Sequence, residues 1–118
     1  MATSDIRVQK GNPYVRNIKF LNKSDGSPMS LVDRTVFFTV KHLTDYADND
    51  DGAIIKKDIT VHTDAAGGET QLALTAAQNT NTPGKYKCDF RVYELDDTQV
   101  NTATAYFYID DIVTKRTS

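Results

Sequence analysis

Apolar and polar residues alternate along most of the chain in short runs, and clusters of Gly, Pro, Asp and Asn separate the runs. A period of two places successive side chains on opposite faces, so the pattern predicts strands joined by turns. "DIRVQ" (5–9) predicts a first strand, closed by "KGNP". "YVRNIKFLN" (14–22) predicts a second, with Ile18 and Phe20 on one face and Asn17 and Lys19 on the other. "KSDGSP" then turns, because Asp25 and Gly26 supply turn geometry and Pro28 cannot donate to a ladder. "TVFFTVKHL" (35–43) has the strongest central-strand character, with Val36, Phe38 and Val40 inward. After the break "TDYADNDDGA", "IIKKDITVH" resumes with Ile55, Ile59 and Val61 inward. "TDAAGG" turns again, "ETQLALT" presents Leu72 and Leu74, and "TAAQNTNTPG" holds a single helical turn. "KYKCDFRVYEL" (85–95) alternates most clearly: Tyr86, Cys88, Phe90 and Val92 inward, Lys85, Lys87, Asp89 and Arg91 outward. "DD" turns the chain into "TQVNTATAYFYID" (98–110), with Ala105, Phe107 and Ile109 on one side, and a polar tail expected to fray from about residue 112.

About seven such strands, without a long helix or an internal repeat, predict an all-β fold. The expected architecture is an immunoglobulin-like antiparallel β-sandwich forming one domain over residues 1–118. "TNTPGKYKCDFRV" sharpens this. Tyr86 stands two residues before Cys88 at the start of a strand, as in the tyrosine corner of immunoglobulin-type sandwiches, and its hydroxyl is expected to bond back to backbone near Asn79 to Thr82. Cys88 has no second cysteine to pair with and is expected to be a small core residue.

Composition agrees with turns and strands. Fourteen of the sixteen acidic residues are Asp, which favours turns, and only Glu69 and Glu94 are Glu, which favours helix interiors. A net charge of −2 predicts no broad attraction to nucleic acid or anionic lipid, and no apolar run reaches transmembrane length. "MATSDIRVQKG" lacks the apolar centre of a secretory signal, so the product is expected to stay in the cytosol that makes it. The single cysteine suits that reducing compartment.

Candidate chemistry is sparse. Nucleophilic catalysis needs a nucleophile, a base and an orienting group, and the chain offers only His42 and His62, both at predicted strand ends where solvation is expected. "AAGG" lacks the glycine spacing and lysine of a phosphate loop. The acidic stretch Asp45, Asp48, Asp50 and Asp51 raises calcium. With Gly52 as the invariant EF-hand glycine, however, the first ligand position falls on Ala47 and the twelfth on Asp58. A solvated turn that deters strand pairing is the simpler expectation. "NKS" at Asn22 matches a glycosylation acceptor, which means little without export. No enzyme activity, cofactor or metal is expected.

The outer face of one sheet is more informative. With the third, sixth and last strands as neighbours, Phe37, Tyr93, Tyr106 and Tyr108 point outward together. An exposed aromatic group of that size predicts a protein contact surface, the alternatives being ordinary half-exposed strand tyrosines or a sugar-stacking platform.

The order of features from "TVFFTVKH" through "IIKKDITV" and "LTAAQNTNTPGKYKCDFRV" to "ATAYFYID" resembles a group of tailed-bacteriophage structural domains, among them the N-terminal domains of baseplate upper proteins. The likeness spans about two-thirds of the chain and contains no catalytic motif. It implies a non-enzymatic virion component of tail, baseplate, neck or head decoration, made in the bacterial cytoplasm. Its partners would be other virion proteins, and it would form a homo-oligomer. A carbohydrate-binding or host-surface module on a virion is the alternative. Baseplate upper proteins continue into long C-terminal segments, so a chain ending soon after the sandwich implies either a free-standing subunit or a fragment.

Overall fold

A computed structural model describes residues 5–22, 25–47, 49–93, 99–102 and 104–113. Among these are eight strands: β1 (Ile6–Gln9), β2 (Tyr14–Lys19), β3 (Thr35–His42), β4 (Ile55–Ile59), β5 (Glu69–Leu74), β6 (Gly84–Tyr93), β7 (Gln99–Asn101) and β8 (Ala105–Asp110). One 3-10 turn, Ala76–Asn79, precedes β6. The larger sheet runs β1-β8-β6-β3-β4, with β7 also on β6, and β2 and β5 form the second sheet. The result is an all-β sandwich of two unequal layers.

Residue pattern explains the layers. Val36, Phe38 and Val40 of β3 alternate inward against Val92, Phe90 and Cys88 of β6, which stand directly opposite them. Phe38 lies 4.8 Å from Phe90 and 6.1 Å from Phe107, ring centre to centre. Phe20, just beyond β2, reaches Phe90 edge-on at 5.9 Å, so one aromatic cluster ties the second sheet to the first. Leu72 and Leu74 of β5 close the core from the other side. The antiparallel pair β2–β5 contributes Tyr14, Arg16 and Ile18 on its half-buried side and a polar outer side.

Four features depart from expectation. β1 lies parallel to β8, Ile6 opposite Phe107 and Val8 opposite Ile109, so the sandwich is not wholly antiparallel. The last run is two strands. β7 and β8 both pair with β6, but their registers differ by one residue, which is a bulge. There Thr102 is buried; its Oγ1 accepts from Phe90 N at 3.0 Å, and its N donates to Phe90 O at 2.9 Å. Val61 is not inward: β4 stops at Ile59 and Val61 is 85% exposed. His62 is not solvated either, since its Nδ1 meets Thr70 Oγ1 at 2.9 Å and its Nε2 meets Arg34 O at 2.7 Å.

The corner before β6 follows the sequence closely. The Thr75 hydroxyl accepts from Gln78 N, and the Gln78 side chain accepts from Thr75 N, a capping box that starts the 3-10 turn. Buried Asn79 donates through Nδ2 to Asn12 O at 2.6 Å, fastening that turn to the β1–β2 connection. The Tyr86 hydroxyl donates to Thr82 O at 2.5 Å, as the tyrosine corner requires. Glu94, Leu95 and the "DD" turn lie outside the described residues, as do Lys23, Ser24, Asp48 and the tail 114–118.

Candidate docking face

Phe37, Tyr93, Tyr106 and Tyr108 all sit on the outer side of the larger sheet, between inward neighbours of their own strands. They do not form one continuous apolar patch. Phe37 and Tyr93 pack together at 5.9 Å near one end of β3 and β6. Tyr106 and Tyr108 stand on β8 opposite Lys87 and Lys85 of β6, at the other end. Outward charges separate the two groups because β6 alternates Lys85, Lys87, Asp89 and Arg91 on this side.

Those charges are organised around the rings. The Arg7 guanidinium lies 4.4 Å from the centre of the Tyr108 ring and also pairs with Asp110 Oδ1 at 2.6 Å. The Lys85 ammonium lies 4.0 Å from the Tyr106 ring centre and 5.8 Å from that of Tyr108. The Lys87 ammonium lies 4.1 Å from the Tyr46 ring centre, although Tyr46 belongs to the acidic loop and is 82% exposed. Cations over aromatic faces each contribute about 0.5–1 kcal/mol at exposed sites.

The acidic loop folds back over the sheet. Lys41 of β3 reaches up to Asn49 O at 2.9 Å and Asp50 Oδ1 at 3.0 Å, while Asp45 Oδ1 accepts from Ala47 N. Between the loop and the sheet lies an open groove of about 550 Å³, lined by Phe37, Lys41, Tyr46, Lys87, Asp89 and Arg91 among others. Two of the loop carboxylates are thus committed to a lysine and a backbone amide. Among the described residues, no three His, Cys, Asp or Glu side chains are placed to share a metal ion.

The remaining candidates are occupied elsewhere. Cys88 is 3% exposed, and burial pushes its thiol up to about 12, so it is a neutral core side chain. His42 packs on the Tyr86 ring at 5.4 Å. Asn22 spends its side-chain amide on Ser27 Oγ and Pro28 O. Among the described residues, no helix is long and apolar enough to cross a membrane. Arg7 and Tyr46 carry no sequence signal that marks them for this face, and Lys85 and Lys87 are marked only as outward positions. The outward lysines were visible in the β6 alternation, but nothing in the order of residues tells that a loop tyrosine lands on one of them.

Residues 1–117 match the family model described as the BppU N-terminal domain. Among solved structures, the chain is similar to one titled "N-terminal domain of phage TP901-1 ORF48", with a TM-score of 0.56 and 12% identity. The match covers 89% of this chain and 83% of that one, and at such low identity it speaks for the fold alone. No curated protein matches the chain.

Proposed function

Because the chain belongs to the BppU N-terminal domain family, the domain of phage baseplate upper proteins, we propose that it acts without catalysis, as a docking module that joins other virion proteins through the outer face of its larger sheet. A phage baseplate domain of this kind is a virion structural component. The observation that carries the docking proposal is the contrast between the two outer faces. The smaller sheet presents cross-strand polar pairs, Asn17 with Gln71 and Lys19 with Glu69, with Val15 beside Ala73 at one end. The larger sheet presents Tyr106 at 41% exposure, the half-buried Phe37, Tyr93 and Tyr108, and the cations that brace Tyr106 and Tyr108. Aromatic and arginine side chains are enriched at protein interfaces, the aromatic ones because they bury large area at low entropic cost.

Sugar stacking is the weaker explanation for the same rings. An ammonium already occupies one face of Tyr46 and one face of Tyr106, and a stacked sugar needs such a face clear. The test is incorporation into particles. In a phage lacking its own copy, Phe37→Ala with Tyr106→Ala is expected to lower the amount of this protein in purified particles at least about tenfold, the scale of one lost hot spot. Val15→Ser on the other sheet is expected to leave it unchanged, with both variants checked for folding by circular dichroism. Equal incorporation of all three forms contradicts the proposal.

A further inference from the structure

The docking face carries both signs of charge, side by side. Lys41, Lys87 and Tyr106 are cross-strand neighbours at one level of β3, β6 and β8. On the β3 side of Lys87 the loop bearing Asp45, Asp50 and Asp51 stands above the sheet, held by Lys41 and by the Tyr46–Lys87 contact. Away from the loop, Lys85 two residues along β6 and Arg7 on β1 are braced on Tyr106 and Tyr108 of β8. Lys85 makes no ion pair among the described residues, and the Asp51 carboxylate likewise has none. An acidic ridge thus lies next to a cationic, aromatic step on the same face.

Such a patch is complementary to itself. An interface across a two-fold axis must bring each patch against its own copy turned by half a rotation, so a ridge of one sign beside a step of the other meets the requirement. We propose that the partner of this face is a second copy of the chain, related by a two-fold axis lying in the interface and parallel to the strands near Lys87, with the Asp51 side of each loop set on Lys85 and Arg7 of the other copy. This inference rests on the docking face argued above and adds its occupant. Five strands at about 4.8 Å spacing make a face near 24 Å wide and of comparable length, about 500 Å². That is below the roughly 800 Å² per partner of tight complexes, so the free dimer is weak and is reinforced by effective concentration inside a particle.

Charge exchange tests this directly. Sedimentation equilibrium up to about 1 mM protein is expected to show a dimer that weakens as salt screens the contact from about 0.05 to 0.5 M. Lys85→Glu alone and Asp51→Lys alone each place like charges at both contacts and are expected to weaken association at least about tenfold. Mixed in equal amounts, the two variants restore opposite charges at both contacts and are expected to regain wild-type association as a heterodimer. A monomer at every concentration overturns the proposal, as does association indifferent to both changes or a mixture that fails to recover. A monomer that instead retains polyglutamate on the Lys85 side points to a foreign acidic segment and also overturns it. If particle incorporation still depends on Phe37 and Tyr106 in that case, the docking face stands and only its occupant is wrong.

Discussion

Replacing Gly68 with Ala isolates the steric crowding at the end of the smaller sheet, where β2, β5 and the segment leading to β3 meet. Gly68 is buried at φ +74°, and an added Cβ would stand 2.6 Å from both Phe20 O and Met29 O. Ordinary carbon contacts begin near about 3.5 Å, so at least one of these backbones must move. Neither is free to do so cheaply. Phe20 N donates to Gly68 O, Met29 N donates to Phe20 O, and Gly68 N donates to Ala65 O, which makes one junction of β2, β5 and the segment leading to β3. The left-handed φ alone costs about 1 kcal/mol for an L-residue. Forced overlap in packed structure adds about 1–3 kcal/mol. The sum, about 3 kcal/mol, is a large share of the roughly 5–15 kcal/mol of a typical domain. Gly11→Ala is the matched control, because φ there is +80° but nothing lies within 4 Å of the added carbon. In urea denaturation with a slope near about 1.5 kcal/mol per molar, the midpoint should fall by about 2 M for Gly68→Ala and under about 1 M for Gly11→Ala. Two variants equal within about 0.5 kcal/mol would refute the claim that backbone crowding fixes this junction.

Further expectations concern the β6 side of the core. Tyr86→Phe keeps the buried ring and removes only the bond to Thr82 O, whose residue is exposed and can be resolvated; a loss of about 1 kcal/mol, or about 4 °C in Tm, is expected by calorimetry. Thr102→Val leaves Phe90 N without its acceptor at the buried bulge and should cost about 1–3 kcal/mol in chemical denaturation, while Thr102→Ser should recover most of it. Cys88 titrates near pH 12 when folded but near about 8.5 when unfolded, so above that pH the unfolded chain binds fewer protons and stability falls. The stability gap between wild type and Cys88→Ala is therefore expected to narrow from pH 8 to about 10.5, and a constant gap would contradict burial of the thiol.

Period-two alternation carried the inward sets of β3, β5, β6 and β8 because each of those strands has one face in the core and the other in water. Tyr86 two residues ahead of Cys88, with Pro83 and Gly84 before it, carried the corner. Alternation states which face a side chain takes and is silent on which strand lies alongside, so the parallel pairing of β1 with β8 was not legible. The same limit hid the bulge at Thr102, since an extra residue interrupts the period in a stretch already poor in apolar residues. Val61 continued the alternation of β4 on paper, but His62 turns inward to Thr70 and Arg34 instead, and the chain leaves the sheet at Ile59. At the docking face the four aromatics lie on the expected side, while their division into two groups comes from the outward charges of β6, with Asp89 between them. The contribution of Tyr46 depends on a long-range fold of the loop, fixed by Lys41 and Lys87, that no local pattern encodes.

The claim that the larger sheet faces its neighbours in the particle is tested most directly by lysine acylation of intact particles, read by mass spectrometry against the free protein. Lys85 lies on the proposed face and is exposed in the free chain; Lys19 lies on the outer side of the smaller sheet and is also exposed. Strong protection of Lys85 with unchanged labelling of Lys19 is the expected result. Protection of Lys19 with Lys85 still reactive would contradict it and would move the contact to the opposite side of the sandwich.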